Sequence, residues 1–212
     1  MTKYLRSQLL ALAAVGLAGP AAAATVTFGS FASNDSQQLN PTVSITETAA
    51  GMFDVSIGAL PAGESGFVTG FFLGTTGDIS CGSVTISAVG AGACDDDGEL
   101  GGNANLNGLL PGNDYSVFDF AIGYPQQGNA NRLDSSEFPT LAFSIAAAGT
   151  ALSDFTAIGL RFQGVTFADG SEGSDKLFDD DPVAPVPLPA AGWMLLAGLG
   201  GLGVARRRRR RA

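Results

Sequence analysis

The sequence predicts an all-β protein whose strands form two antiparallel sheets packed face to face. Three observations support this prediction. Apolar and polar residues alternate with a period of two in six segments between Thr25 and Phe178, as in strands that bury one face. Gly, Asn, Asp, Ser and Pro fill the stretches between these segments, as turns require. No stretch of this region has a convincing amphipathic helical period.

Each of the six segments places two to four apolar side chains on one face of its strand. In chain order these are Val43 and Ile45; Phe53, Val55 and Ile57; Val84 and Ile86; Phe118, Phe120, Ile122 and Tyr124; Leu141, Phe143 and Ile145; and Ile158, Leu160 and Phe162. We expect about seven to nine short strands in about 150 residues, which fits a β-sandwich of jelly-roll or immunoglobulin-like type. A single barrel is the alternative.

Residues 1–24 have the pattern of a signal peptide with a short signal helix. A positively charged start precedes an apolar core, Leu9 to Gly19, and small residues then lead to a cleavage site between Ala24 and Thr25. A short membrane helix is the alternative, but the apolar core is too short to span a bilayer. The β-sandwich is therefore predicted as an exported ectodomain over residues 25–178.

Charge is distributed very unevenly along the chain. The whole sequence has 11 basic and 20 acidic residues, a net charge of −9. Residues 25–205 contain all 20 acidic residues but only three basic ones, so this part carries −17. Such an acidic domain repels phosphate backbones, which argues against nucleic acid as a partner. It can attract divalent cations.

Cys81 and Cys94 are the two cysteines of the chain. In an exported protein the default is a disulfide between them. A catalytic thiol is the alternative, but it needs a basic partner, and the chain has no histidine.

The acidic, glycine-rich segment 94–114 is a weak calcium candidate. Asn103, Asn105, Asn107 and Asp114 match the spacing of a twelve-residue calcium loop, but its first position is Asn and its last ligand Asp. A turn-rich loop without metal is the simpler interpretation. Weak Ca²⁺ binding would use hard oxygen ligands from this region. The candidate ligands are Asp95, Asp97, Glu99, Asn103, Asn105, Asn107 and Asp114.

Catalysis is not expected from the sequence, and no catalytic residue is assigned. Triads that use histidine are excluded by composition. A glycosidase would need two carboxylates at a defined separation, which sequence alone does not place. A small secreted hydrolase is kept only as an alternative.

The C-terminal part has three sections of different composition, and a short motif lies between the first two. Residues 179–185 are acidic and proline-rich, which predicts a stiff extended linker. Residues 190–205 carry no charge and predict a transmembrane helix of about 24 Å, short of a bilayer core of about 30 Å. Six arginines follow and predict a stop-transfer signal on the cytoplasmic side. They are Arg206, Arg207, Arg208, Arg209, Arg210 and Arg211.

The tail 186–212 also carries a short proline motif before the apolar stretch. The motif is Val186, Pro187, Leu188, Pro189 and Ala190. Together these sections resemble the VPLPA-type C-terminal sorting domain of proteobacteria, a relative of the PEP-CTERM signal that exosortases recognise. The resemblance implies a Gram-negative bacterium, specifically an alphaproteobacterium, and processing near the motif by a membrane-embedded, transpeptidase-like enzyme. Families with this tail are often linked to exopolysaccharide and biofilm.

Three functions follow as hypotheses. The favoured one is a structural or adhesive protein of the cell surface or extracellular matrix, anchored transiently in the inner membrane and sorted by an exosortase-like enzyme, with exopolysaccharide as a possible partner. A carbohydrate-binding module on the same scaffold is the alternative, and a hydrolase the third. Fold class alone does not choose among them.

Overall fold

The computed structural model describes residues 23–77, 79–87, 94–96, 100, 104–124, 131–137 and 140–183. These residues form antiparallel β-strands with short 3-10 helices at Pro111–Asn113 and Leu152–Asp154, which confirms the predicted all-β class. Within the described ranges, no helix is both long and apolar enough to cross a membrane. The predicted signal helix and the predicted transmembrane helix lie outside those ranges.

Twelve strands are found in the described residues, more than the seven to nine predicted. Their bounds are β1 Thr25–Phe28, β2 Ala32–Ser33, β3 Val43–Ala49, β4 Met52–Ile57, β5 Ser65–Thr75, β6 Val84–Ser87, β7 Cys94–Asp96, β8 Phe120–Gly123, β9 Arg132–Asp134, β10 Leu141–Ala147, β11 Phe155–Thr166 and β12 Glu172–Asp179. All six segments that the alternation identified lie on strands: β3, β4, β6, β8, β10 and β11.

The strands form two sheets that share one hydrophobic core. One sheet has the order β1-β3-β4-β10-β6, and the other β2-β12-β11-β5-β8-β7, with β9 also pairing with β5. Phe53 of β4 meets Phe155 of β11 with ring centroids 4.8 Å apart, and Phe71 of β5 meets Phe143 of β10 at 5.0 Å. Edge-to-face pairs of this kind add to the burial energy of the core. The finer type, jelly-roll or immunoglobulin-like, stays a prediction.

Strand β5 is buried on both of its faces. Phe71 and Leu73 point into the core between the sheets, whereas Phe72 belongs to a second hydrophobic cluster on the other side of β5. A strand covered on both faces reads as a continuous apolar run rather than an alternation. This explains why the period-two pattern did not identify β5.

The second cluster is formed where residues 104–118 cover the seven-stranded sheet. Leu106, Leu110, Tyr115 and Phe118 of this cover segment pack around Phe72. Phe118, predicted to lie on the same face as Phe120, precedes β8 and belongs to this second cluster instead. The prediction for Phe118 was wrong because the alternation was extended past the start of the strand.

Glycines allow the cover segment to lie directly on the sheet. A Cβ at Gly74 of β5 would stand 2.0 Å from the Val117 carbonyl oxygen, and one at Gly159 of β11 would stand 2.6 Å from Leu106. Real side chains do not approach so closely, so these positions require residues without a Cβ.

Candidate functional site

The C-terminal end of the folded domain is bonded to its first strand. Val183 donates its backbone N–H to the Thr27 carbonyl oxygen at 2.8 Å, and Thr27 donates its N–H to the Val183 carbonyl oxygen at 3.4 Å. Thr25, the residue after the predicted signal cleavage site, is the first residue of β1. Ala24 lies beside β3, since its carbonyl oxygen accepts the Glu47 N–H at 3.0 Å. The two ends of the domain therefore meet at one sheet edge.

Asp179 holds the chain just before this bridge. One oxygen of its carboxylate accepts the backbone N–H groups of Gly29 and Ser30, both at 2.8 Å, and the other accepts the N–H of Asp181 at 3.0 Å. The residue was expected in the linker, but the structure places it as the last residue of β12, with 3 % of its surface exposed. These three N–H donors satisfy the hydrogen-bonding capacity that the Asp179 carboxyl loses on burial.

Asp175, four residues earlier on the same face of β12, makes a similar set of contacts. Its carboxylate accepts hydrogen bonds from the Ser33 hydroxyl at 2.5 Å, the Leu39 N–H at 2.7 Å and the Lys176 N–H at 2.8 Å. Burial raises the pKa of Asp175, and these three donors oppose that shift. Asp175 and Asp179 together fasten the connection between β1 and β3 to the edge of the seven-stranded sheet.

Two further charged residues are buried near Asp175. The Arg161 guanidinium donates to the Asp175 carbonyl oxygen and to the Ser174 hydroxyl, each at 3.2 Å. Glu64 is 7 % exposed, and its Oε2 has no hydrogen-bond partner in the part of the chain that the structure describes. Burial raises the pKa of Glu64, the Asn40 backbone N–H lowers it, and repulsion from Asp175 raises it further.

The two cysteines lie at the edges of the two sheets. Cys94 begins β7, Cys81 precedes β6, and their Sγ atoms form a disulfide in the structure. The Cys81 N–H donates to the Asp96 carboxylate at 2.6 Å, which holds the turn before β6 beside β7. The bond therefore links edge strand β7 of one sheet to the turn that precedes edge strand β6 of the other.

Three of the calcium candidates, Asn105, Asn107 and Asp114, make local hydrogen bonds within residues 105–116. Asn105 accepts the Asn107 N–H at 3.1 Å, and Asp114 accepts the Ser116 N–H at 3.0 Å. The Ser116 hydroxyl and N–H lower the pKa of Asp114. The Asn107 side chain accepts a hydrogen bond from the Tyr115 hydroxyl, so it supports the cover segment.

Of the remaining calcium candidates, the structure describes Asp95. Asp95 lies in β7 opposite Ala121 of β8. Asp97, Glu99 and Asn103 lie outside the described residues. Within the described ranges, no group of three or more His, Cys, Asp or Glu side chains is placed to hold a metal ion. Weak Ca²⁺ binding stays a prediction.

A polar groove of about 360 Å³ lies between residues 35–37 and the turn that joins β11 to β12. Its walls carry hydroxyl, amide and carboxylate groups, and Phe167 contributes an apolar side chain. Gln37 is fixed there, since its amide donates to Asp169 and accepts from the Ser171 hydroxyl at 3.1 Å. Such a groove offers hydrogen-bond acceptors to a polyhydroxylated ligand.

Sequence reasoning missed the buried charges Glu64, Arg161, Asp175 and Asp179. Acidic residues are usually exposed, and one sequence gives no sign of which carboxylate finds buried donors. One available signal was the period-two spacing of Asp175, Leu177 and Asp179 on the strand that ends the domain. The sorting motif 186–190, the predicted helix 190–205 and Arg206 to Arg211 lie outside the described residues.

Comparison with known proteins identifies the C-terminal segment. The model of the PEP-CTERM protein-sorting motif matches residues 185–210. This match supports a PEP-CTERM-type tail, processing by an exosortase-like enzyme, and export with membrane-associated sorting in a Gram-negative bacterium. No curated protein matches the chain, and no solved structure matches it either.

Proposed function

We propose that this chain is an exported protein whose folded domain, residues 24–183, is delivered to the cell surface or extracellular matrix by cleavage within its C-terminal tail. The observation that carries the proposal is the position of the sorting motif. It begins at residue 185, directly after the bridge at Val183 that closes the domain. The described part of the domain, which ends at Val183, therefore precedes the matched segment in the chain.

The tail is of the VPLPA subtype in this proposal. Prolines 187 and 189 keep the segment extended and favour its entry into a protease cleft. The apolar residues 190–205 span the inner membrane, and the arginines at 206–211 extend to the cytoplasmic surface and compensate for the short helix. This arrangement anchors the protein only until the sorting enzyme acts.

The processing step breaks one peptide bond near residues 186–190. The carbonyl carbon on the domain side passes to water, which leaves a carboxylate, or to the amine of an acceptor molecule, which leaves an amide. The nitrogen on the tail side takes a proton and becomes the amino terminus of the released membrane peptide. At the other end, signal peptidase cuts between Ala24 and Thr25, where β1 begins.

The released domain has the properties of a structural or adhesive matrix protein in this proposal. The domain is strongly acidic, which favours solubility and opposes self-association at neutral pH. The disulfide and the hydrogen bonds to the buried carboxylates hold the loops in place. Such bonds suit a protein that works outside the cell, where disulfides persist.

Replacement of the motif prolines tests the proposal in the native host. Pro187→Ala with Pro189→Ala is expected to leave full-length protein in the inner membrane, because the cleavage segment loses its fixed extended form. Pro182→Ala, which lies outside the matched motif, is the control and is expected to be processed normally. Equal processing of all three proteins would contradict the assignment of the cleavage motif.

The polar groove favours carbohydrate binding as a second candidate function. Its fixed Gln37 amide and its hydroxyl and carboxylate groups suit the hydroxyls of a neutral exopolysaccharide. A glycan array with the exported protein tests this. Ser36→Leu, which fills the groove with apolar volume, is expected to abolish any signal, whereas Thr85→Leu on the exposed edge of β6 is expected to preserve it. Absence of any glycan signal for the unmodified protein would remove this candidate.

A further inference from the structure

Strand β1 is an edge strand of the five-stranded sheet. On the open side of β1, Thr27 pairs with Val183. Thr27 lies opposite Ser44 of β3 in register, yet its N–H and carbonyl oxygen are both used by Val183. Residues of an antiparallel strand direct both backbone groups to the same side. The N–H and carbonyl oxygen of Thr27 therefore face away from β3, and they hold the segment that contains Val183.

The chain between β12 and this bridge is held at both ends. Asp179 accepts the N–H of Asp181, which turns the chain away from β12, and the bridge holds Val183 two residues later. The same carboxylate receives Gly29 and Ser30, the residues that follow β1. To free residues 180–183, the chain must lose backbone hydrogen bonds at Val183 and at Asp181.

The segment between the bridge at Val183 and the predicted membrane helix is short. Residues 184–189 separate Val183 from the predicted membrane segment at Ala190. Fully extended, they reach at most about 20 Å. A membrane-embedded enzyme that binds its substrate in extended form has only this stretch available, unless the bridge opens.

We propose that the Thr27–Val183 bridge sets the N-terminal limit of the segment that the sorting enzyme can bind. This inference rests on the proposed function. The enzyme cuts between Ala184 and Ala190, and Val183 stays attached to β1 in the mature protein. Thr27 and Val183 are positioning residues for the cleavage, since they act by holding the chain and do not touch the reacting bond.

Removal of one backbone donor tests the inference. Val183→Pro deletes the N–H of the 2.8 Å hydrogen bond, and the matched control Val183→Ala retains that N–H while removing the same side chain. Val183 is exposed and ends the domain, so neither change disturbs the core. Full-length protein, produced in cells that lack the sorting enzyme, is treated with a non-specific protease, and intact mass gives the C-terminus of the resistant domain.

Protection is expected to end at Val183 in the unmodified protein and in Val183→Ala. In Val183→Pro the boundary is expected to shift back to residues 179–181. The inference would be overturned if the protease-resistant domain ended at the same residue in Val183→Pro and Val183→Ala. It would also be overturned if the protease removed Val183 from the unmodified protein.

The natural C-terminus of the mature protein separates this inference from the proposed function. A natural end before Ala184 overturns the proposed limit but leaves sorting intact. A chain that keeps Ala212 contradicts the sorting proposal, while the protease boundary still reports on the bridge.

Discussion

Val183 donates its backbone N–H to the carbonyl oxygen of Thr27 at 2.8 Å, so the end of the folded domain is hydrogen-bonded to its first strand. The predicted signal cleavage site precedes β1 directly, and the matched sorting motif begins shortly after Val183. Both segments expected to contact the export machinery therefore leave the domain from one sheet edge. In the processing proposed above, both cuts fall outside the core clusters.

Gly74 is expected to be intolerant of any side chain. Gly74→Ala would place a methyl group 2.0 Å from the Val117 carbonyl oxygen and push the cover segment off β5. The free energy of unfolding should fall by about 2 kcal/mol. Gly77→Ala is the control, since no atom lies within 4 Å of its Cβ, and it should change stability by less than about 0.5 kcal/mol. Urea unfolding of the two variants measures both values, and equal stabilities would contradict the cover-segment packing.

Asp175→Asn should destabilise the domain through a single changed atom. The amide brings an N–H₂ group against the Ser33, Leu39 or Lys176 donors, all of which need an acceptor. The expected loss is about 2 kcal/mol in urea unfolding. Asp54→Asn is the control because Asp54 is exposed and its partner, the Ser144 hydroxyl, can rotate to donate or accept. A loss no larger than the control's would show that the Asp175 contacts do not hold the β1–β3 connection.

Glu64→Gln should stabilise the protein at neutral pH and have little effect in acid. The pKa of Glu64 is raised in the folded state above its ordinary value of 4.5, mainly by burial. A carboxyl with a raised pKa favours the fold when it is protonated, and this contribution is lost as the pH rises through the folded pKa. Glutamine stays neutral throughout, so the gain should be about 1 kcal/mol at pH 7 and vanish below the ordinary pKa.

Thermal unfolding followed by circular dichroism at pH 7 and near pH 4 gives this difference. Glu172→Gln, at an exposed residue, is the control. A gain for Glu64→Gln that is the same at both pH values would contradict the burial of a charged, unpaired Glu64 oxygen.

Cys81 and Cys94 are expected to be oxidised to one another in the exported protein. Alkylation without a reductant should add no mass to the intact chain, and the double variant Cys81→Ala with Cys94→Ala should lose about 3 kcal/mol of stability, mostly through the unfolded state. Two alkylated cysteines in protein recovered from outside the cell would refute the bond.

The sequence was most informative where one face of a strand is buried. Alternation located β3, β4, β6, β8, β10 and β11, because each carries polar residues on its second face. It did not identify β5, whose second face is covered by residues 104–118, nor β2, β7 and β9, which have three residues or fewer. Strands β1 and β12 were also not among the six segments, although their residues alternate in burial.

The candidate site also has one part that local sequence predicts and one part that it does not. The sorting tail could be found from sequence because it is a linear motif, and the family match to residues 185–210 supports it. The bridge from Thr27 to Val183 and the donors to Asp179 join residues from opposite ends of the domain. Local pattern carries no information about such contacts, so only the folded structure reveals them.

The natural termini of the protein recovered from outside its own host cell test the central claim most directly. Intact-mass analysis with terminal sequencing should give a chain that begins at Thr25 and ends between Ala184 and Ala190. That result would show that the membrane segment and the arginines are removed after export. A chain that still ends at Ala212 would contradict processing of the tail.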